Sequence, residues 1–323
     1  MTRGAGPAPA KPVGGPIASG ATRRGSPHVV ERPARRTVVR YRWPYLFIAP
    51  FFILFALFFV FPIVFSFWLS LNDWRGTGPM RFVGVQNYVA LARDTTFWSS
   101  MANAAILFVL YVPIMTVLAV VIAAALNDRF VRLRGFWKAL IFLPYITSMV
   151  AVGFTFRLIF DTRSGIANDL IGLVGLGPVL WLDDPWWARV TLAILITWAW
   201  LGYNTVIMLA GLQTIPTEVV EAARVDGATR LQALRLVTVP LLRPVILFSL
   251  TLSVIGTFSL FTEPSVLTRG GPARATTMPV MEIFSTTFSN LRFGYAAAMS
   301  YVVFAVIIVA TAIQFRALRR DQG

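Results

Sequence analysis

The stretch that decides the reading runs from Thr217 to Pro244, TEVVEAARVDGATRLQALRLVTVPLLRP, a polar, helix-forming island between two long apolar segments. Thr217 is expected to cap a first short helix, because Pro216 precedes it and Glu218 and Glu221 fall in the early turns, where the helix dipole favours anions. Gly227 can supply a left-handed stop. A second helix then starts at Thr229, which forms a capping box with Gln232, and runs through Leu231, Leu234 and Val237 until Pro240 ends it. Helix periodicity alone fits equally an amphipathic loop resting on a bilayer or a pair of helices built as a plug for a socket on another protein.

Working outward, the rest of the chain reads as membrane. With 323 residues, 57% of them hydrophobic, and a mean hydropathy of +0.70, it is too apolar for a soluble domain, whose apolar share is nearer half. The formal charge of +15 raises the question of nucleic acid. The basic residues cluster in the tail and in alternate loops, as bilayer orientation requires, and form no groove interleaved with aromatics, so nucleic-acid binding is excluded. There are no cysteines, and the single histidine, His28, lies in the tail. Disulfides, thiolate nucleophiles and histidine-based metal or acid–base chemistry fall away with them.

Residues 1–42, rich in Gly, Pro, Ala and Arg, read as a disordered basic tail. They are not a signal peptide, since the apolar run that follows is too long and ends in no small-residue cleavage site. Six membrane spans are expected, at about Tyr45–Leu71 (bent near Pro62), Trp98–Leu126, Phe136–Phe160, Val190–Leu212, Leu241–Thr262 and Tyr295–Phe315. With the N-terminus inside, twenty Lys and Arg fall in cytoplasmic segments and eight in outer ones. That bias places both termini and the Thr217–Pro244 stretch in the cytoplasm. The organisation expected is a tail (1–42), a six-helix membrane domain (43–316) with its cytoplasmic loop at 213–243, and a short C-terminal tail (317–323).

Order and spacing in the central stretch then add a resemblance. Glu221-Ala222-Ala223, Asp226-Gly227-Ala228 and Val239-Pro240 resemble the EAA loop of binding-protein-dependent ABC importer permeases. Further motifs are similar to those of the sugar-type permeases: Phe82-Val83-Gly84-Val85-Gln86-Asn87-Tyr88, Leu143-Pro144, Gly165-Ile166-Ala167-Asn168, Trp181-Leu182-Asp183-Asp184-Pro185, Leu267-Thr268-Arg269-Gly270-Gly271-Pro272 with Ala275-Thr276, and Gly294-Tyr295-Ala296-Ala297-Ala298. The resemblance spans roughly Tyr45 to Arg316 and points to the first of the two permeases in maltose-type importers. Arg269 departs from it, standing where the group has a small or polar residue, and the large extracytoplasmic insertion of the larger maltose permease is missing.

The resemblance implies an all-α membrane protein of the type I ABC importer permease fold, multi-pass in a bacterial cytoplasmic membrane. It implies a second homologous permease, two cytoplasmic ATPase subunits and an extracytoplasmic solute-binding protein as partners, and a sugar or related polyol as cargo. Glu221, Ala222, Ala223, Asp226, Gly227 and Ala228 would be the coupling contacts with the ATPase. The small alanines let a surface approach, Glu221 offers a carboxylate to a basic group, and Gly227 lets the chain turn. No P-loop G-x-x-x-x-G-K-[ST] occurs in the chain, so ATP and Mg are expected on the partner ATPase and no cofactor on this chain.

A solute path needs polar groups within the spans. In the fifth, Ser249, Ser253 and Thr257 recur every four residues beside Gly256; in the fourth, Trp198, Gly202 and Thr205 lie at helical spacing next to Tyr203 and Asn204. Hydroxyls and aromatic planes without charge suit a neutral polyol. The same residue types also tighten helix packing, and the residues alone do not separate the two roles. By the resemblance, the sugar-contact positions are Trp198, Leu201, Gly202, Thr205, Ser253, Gly256, Thr257 and Leu260. Three of these, Gly256, Thr257 and Leu260, are smaller or less polar than in the maltose permease, so its specificity does not carry over. The alternative of an ion-coupled secondary carrier is disfavoured because no Asp, Glu, Lys or Arg stands near the middle of a span. A membrane enzyme is disfavoured because no paired carboxylates, Cys or His lie in any span.

Overall fold

Within a bilayer every backbone N–H and C=O must find its partner inside the chain, and the apolar runs of this sequence meet that demand as helices. The computed structural model describes residues 42–128 and 131–319; the tail expected over residues 1–42 lies, up to residue 41, outside them. The chain divides into two units, Met1–Ile53 and Leu54–Gly323. The described part of the first belongs to helix α1 (Arg42–Phe55). A π-helical turn, Ala56–Val60, and α2 (Phe61–Ser70) continue the helical path, so that Tyr45–Ser70 is long and apolar enough to cross a membrane.

A two-stranded hairpin pairs Asn72 with Phe82 and Asp73 with Arg81, and α3 (Gln86–Ala92) leads to α4 (Thr95–Asn127). Like α4, α8 (Pro185–Leu212) and α15 (Phe293–Arg319) are unbroken helices of spanning length. One expected span is broken within its length, and another is bent away from the helix that precedes it. Helices α5 (Arg134–Ile146) and α6 (Met149–Ile159) meet at 91°, because Thr147 and Ser148 are extended after Pro144 and the Thr147 hydroxyl returns to the Pro144 carbonyl at 2.6 Å. The other break, of 70°, separates Arg230–Leu241 from α12 (Arg243–Phe258). The count is therefore four unbroken spans, or six with each bent pair as one.

Pro240 does not end its helix, as the sequence had suggested. A π-helical turn over Leu234–Thr238 precedes it, and the path continues through Leu241. The turn before Pro62 has the same design, each ending two residues ahead of its proline. Proline removes an N–H and crowds the carbonyl four residues back, and a widened turn accommodates both effects. The Thr238 hydroxyl donates to the carbonyl of Ala233, the residue just before this turn, at 3.2 Å.

The core forms where α4 and α8 pack along their length, with α12 against both and α15 against α12. Ser100 and Ala104, and again Ala119 and Ala123, are buried at four-residue spacing, which lets backbones approach closely. Lipid is as apolar as leucine, so this packing and the interhelix hydrogen bonds, rather than hydrophobic transfer, hold the helices together. The motifs at the other end of α8 from residues 213–243 prove to be staples. Asn87 Nδ2 donates to the Ser70 and Asn72 carbonyls at 2.8 and 3.0 Å. The Thr268 and Thr276 hydroxyls bond at 2.6 Å across the Gly-Gly-Pro turn. A Cβ on Gly294 would overlap the Asn72 carbonyl, so glycine is what allows α15 to start where it does.

Candidate functional site

After α8 the chain forms α9 (Thr217–Val225) and α10 (Arg230–Ala233). Extended Pro216, not Thr217, is the N-cap of α9; Thr217 is the first helical residue and makes no side-chain cap. At the other end Gly227 has φ +90°, with Ala228 N–H bonded to the Ala223 carbonyl at 3.0 Å and Gly227 N–H to that of Arg224 at 3.1 Å. These two bonds are the Schellman pattern, which only a left-handed residue can close. The reciprocal capping box at Thr229 and Gln232 then starts α10. Arg230 Nη1 reaches Asp128 Oδ2 at 3.3 Å, tying this element to the segment after α4.

Of the residues assigned to coupling, Glu221, Ala222, Asp226 and Gly227 are exposed, and Ala223 and Ala228 are half-buried. They sit together on the α9–Gly227 turn. Val225 and Leu231, 88% and 73% exposed, flank the turn. An acidic, small-residue face edged by bare aliphatic side chains can take both a basic group and an apolar surface of a partner.

The residues assigned to the solute path divide into groups. Ser253, Gly256 and Leu260 of the α12 region line a cleft with Tyr111 and with Trp200 and Asn204 of α8, and its cavity is about 30 Å³. That is far below the roughly 300 to 1,000 Å³ of sites that enclose a small ligand. A Cβ at Gly256 would meet nothing within 4 Å. Thr257 is fully buried, its hydroxyl 2.6 Å from the Tyr111 hydroxyl and 2.6 Å from the Ser253 carbonyl.

Gly202 does not face the fifth span. A Cβ there would overlap the Ile141 carbonyl and lie 2.8 Å from Phe142 Cα, so it marks the crossing of α8 with α5. Thr205 is buried, with its hydroxyl on the Leu201 carbonyl at 2.8 Å, and Leu201 packs between the two core clusters. Trp198 lies against Phe156, ring centroids 5.6 Å apart.

Sequence reasoning missed Tyr111 and Tyr145. Tyr145 stacks on Tyr203 at 4.9 Å, and the buried Trp200 indole N–H has no acceptor among the described residues. The signal for both tyrosines was a hydroxyl inside an apolar run. Beyond the cleft, the Tyr295 hydroxyl donates to Asp94 Oδ2 at 2.7 Å while Asp94 Oδ1 caps α4 through the Thr96 and Phe97 N–H groups. Burial pushes this carboxyl up, but those three donors favour the ionised form and hold it below its ordinary value.

Against known proteins, residues 115–320 match the family model described as "Binding-protein-dependent transport system inner membrane component". The lactose transport system permease protein LacF of Rhizobium radiobacter is 41% identical over 73% of this chain and 80% of its own length. The arabinooligosaccharides transport system permease protein AraP of Bacillus subtilis is 33% identical over 84% of this chain and 87% of its own. A solved bacterial alginate ABC transporter, in complex with an alginate pentasaccharide-bound periplasmic protein, superposes with a TM-score of 0.74. That match covers 87% of this chain and 96% of that one at 22% identity, a likeness of fold. Spanning helices in this order, a projecting helix pair after α8, and these sequence matches place the chain among the inner membrane components of binding-protein-dependent transport systems, as a multi-pass permease.

Proposed function

We propose that the chain is one of two permease subunits of an ATP-driven importer of an uncharged sugar or related polyol, and that α9, Gly227 and α10 dock it to a separate ATPase. The observation that carries this is the form of the helix pair. It is closed at Gly227 by two backbone hydrogen bonds, capped reciprocally at Thr229, and leaves Glu221, Ala222 and Asp226 exposed. A structure so well specified yet so bare on its outer face suits a partner's cleft. In this reading a second homologous permease completes the membrane path, two ATPase subunits carry ATP and Mg, a solute-binding protein delivers the sugar, and both chain termini face the cytoplasm. The chain itself performs no catalysis. Relatives named for lactose and arabinooligosaccharides support a saccharide cargo, and the neutral cleft of Ser253, Gly256, Trp200 and Asn204 is consistent with one. Its small volume in a single chain is in keeping with a path shared between two permeases.

The test is to reconstitute the complex and measure lactose-stimulated ATP hydrolysis together with co-purification of the ATPase. Gly227→Val forces a β-branched residue into φ +90° and is expected to abolish both. Glu221→Ala is expected to weaken docking by about 1 to 3 kcal/mol, the cost of losing a charged partner. If both variants keep the ATPase and its full stimulation, α9–α10 does not couple the two proteins.

A further inference from the structure

Between the end of α6 at Ile159 and the start of α8 at Pro185, part of the chain loses all its charges. From Leu170 to Leu182 no residue is ionisable, and Asp169 and Asp183 bracket the run. Thirteen such residues are too few to cross a bilayer, which takes about 20 in a helix. The run begins within α7 (Ile166–Gly172) and continues through a turn. At its tip the side chains are not folded inward: Leu173, Val174 and Leu176 are 83%, 72% and 64% exposed.

The projection is nonetheless tightly built. Asn168 Nδ2 donates to the Thr162 and Val179 carbonyls at 2.9 and 3.1 Å, and its Oδ1 accepts from Val179 N–H at 3.0 Å and from Trp181 Nε1 at 2.9 Å. One amide thus pins both ends of the excursion. At the tip Gly175, with φ +79°, reverses the chain, and Leu176 N–H closes onto the Ile171 carbonyl at 3.2 Å. These bonds hold apolar side chains away from the core, and a contiguous apolar surface of this kind marks a binding face.

What covers it follows from continuity with the membrane-facing surface. The run leads into Trp186 and Trp187, both exposed in the first turn of α8, where tryptophan gathers at a bilayer interface. On the other side α7 packs on α6, whose Phe154 and Leu158 are exposed. We propose that the segment from Leu170 to Pro178 lies in the lipid interface, at the end of α8 opposite α9–α10, with Leu173, Val174 and Leu176 inserted among the lipid chains. The proposal rests on the membrane placement of the chain and not on the cargo or the coupling.

The absence of cysteine makes the test direct. Leu173→Cys and Leu176→Cys are each spin-labelled in the full chain in phosphatidylcholine–phosphatidylglycerol vesicles, with Arg163→Cys on the polar base of the same excursion as reference. Since these side chains are already exposed, the label leaves the core undisturbed, and monodisperse elution checks it. Collision with oxygen relative to a water-soluble nickel chelate is expected to be several-fold higher at 173 and 176 than at 163. Equal nickel access at all three positions overturns the proposal. So does shielding of 173 and 176 from both reagents, with or without the second permease and the binding protein, since a protein surface would then cover the patch.

Discussion

At the scale of single residues, Thr257 shows how a hydroxyl that a sequence offers to a solute is consumed by the fold. It is buried, and its Oγ1 and the Tyr111 hydroxyl satisfy each other at 2.6 Å. Thr257→Val, which keeps the volume and leaves Tyr111 without that bond, is expected to lower stability by about 0.5 to 2 kcal/mol, read as a fall in melting temperature of the purified subunit. Asp94 carries a pH dependence. Its carboxyl is depressed in the folded chain, so the stability it adds is present above its unfolded value near 4 and is lost as pH falls through the lower folded value. Tyr295→Phe removes the side-chain donor. The variant is expected to melt below the parent at pH 7, with the gap narrowing toward pH 3, and melting curves at the two pH values check it.

At the scale of elements, the caps at Gly227 and Thr229 were legible, while the cap expected at Thr217 and the sharp bends were not. Gly227 and the Thr229–Gln232 box could be read because a left-handed stop and a reciprocal cap need particular residue types at fixed offsets, and both are formed. The 91° break after Pro144 could not, because Thr147 and Ser148 are compatible with helix or extended chain and only their neighbours decide. Pro240 misled for a related reason: a π-helical turn can carry a proline through a helix, and nothing in the local sequence announces one. Two glycines assigned to the same solute path proved different in kind. Gly202 is the contact where α8 crosses α5, and Gly256 faces open space. Gly202→Ala is therefore expected to cost about 1 to 3 kcal/mol through overpacking. Gly256→Ala is expected to be neutral or to gain up to about 1 kcal/mol of helix propensity. Thermal unfolding of the two variants side by side separates these outcomes.

For the whole molecule, hydropathy gave the spans because membrane helices need about 20 apolar residues whatever they pack against. Which face of each span turns inward was beyond it: α4 and α8 are apolar nearly all round, and small residues choose the seam. The charge bias predicts sidedness. In sealed right-side-out vesicles, Gly78→Cys should react with an impermeant maleimide, and Gly227→Cys only after permeabilisation; the reverse pattern would invert the chain. Sidedness matters because of the 70° corner at Leu242. Leu242 is fully buried, its N–H is held by the Thr238 carbonyl, and its own carbonyl receives the Val245 and Ile246 N–H groups, all at 2.9 Å. Bonded on both arms and wedged at the vertex, this corner has the build of a crank and not of a floppy joint. Its arms, Arg230–Leu241 and Arg243–Phe258, are about 18 and 24 Å long at 1.5 Å per residue. If α10 docks the ATPase as proposed above, a swing of about 10° at the vertex would move the far ends by about 3 and 4 Å, and a push on α10 would reach Gly256 and the cleft it opens on.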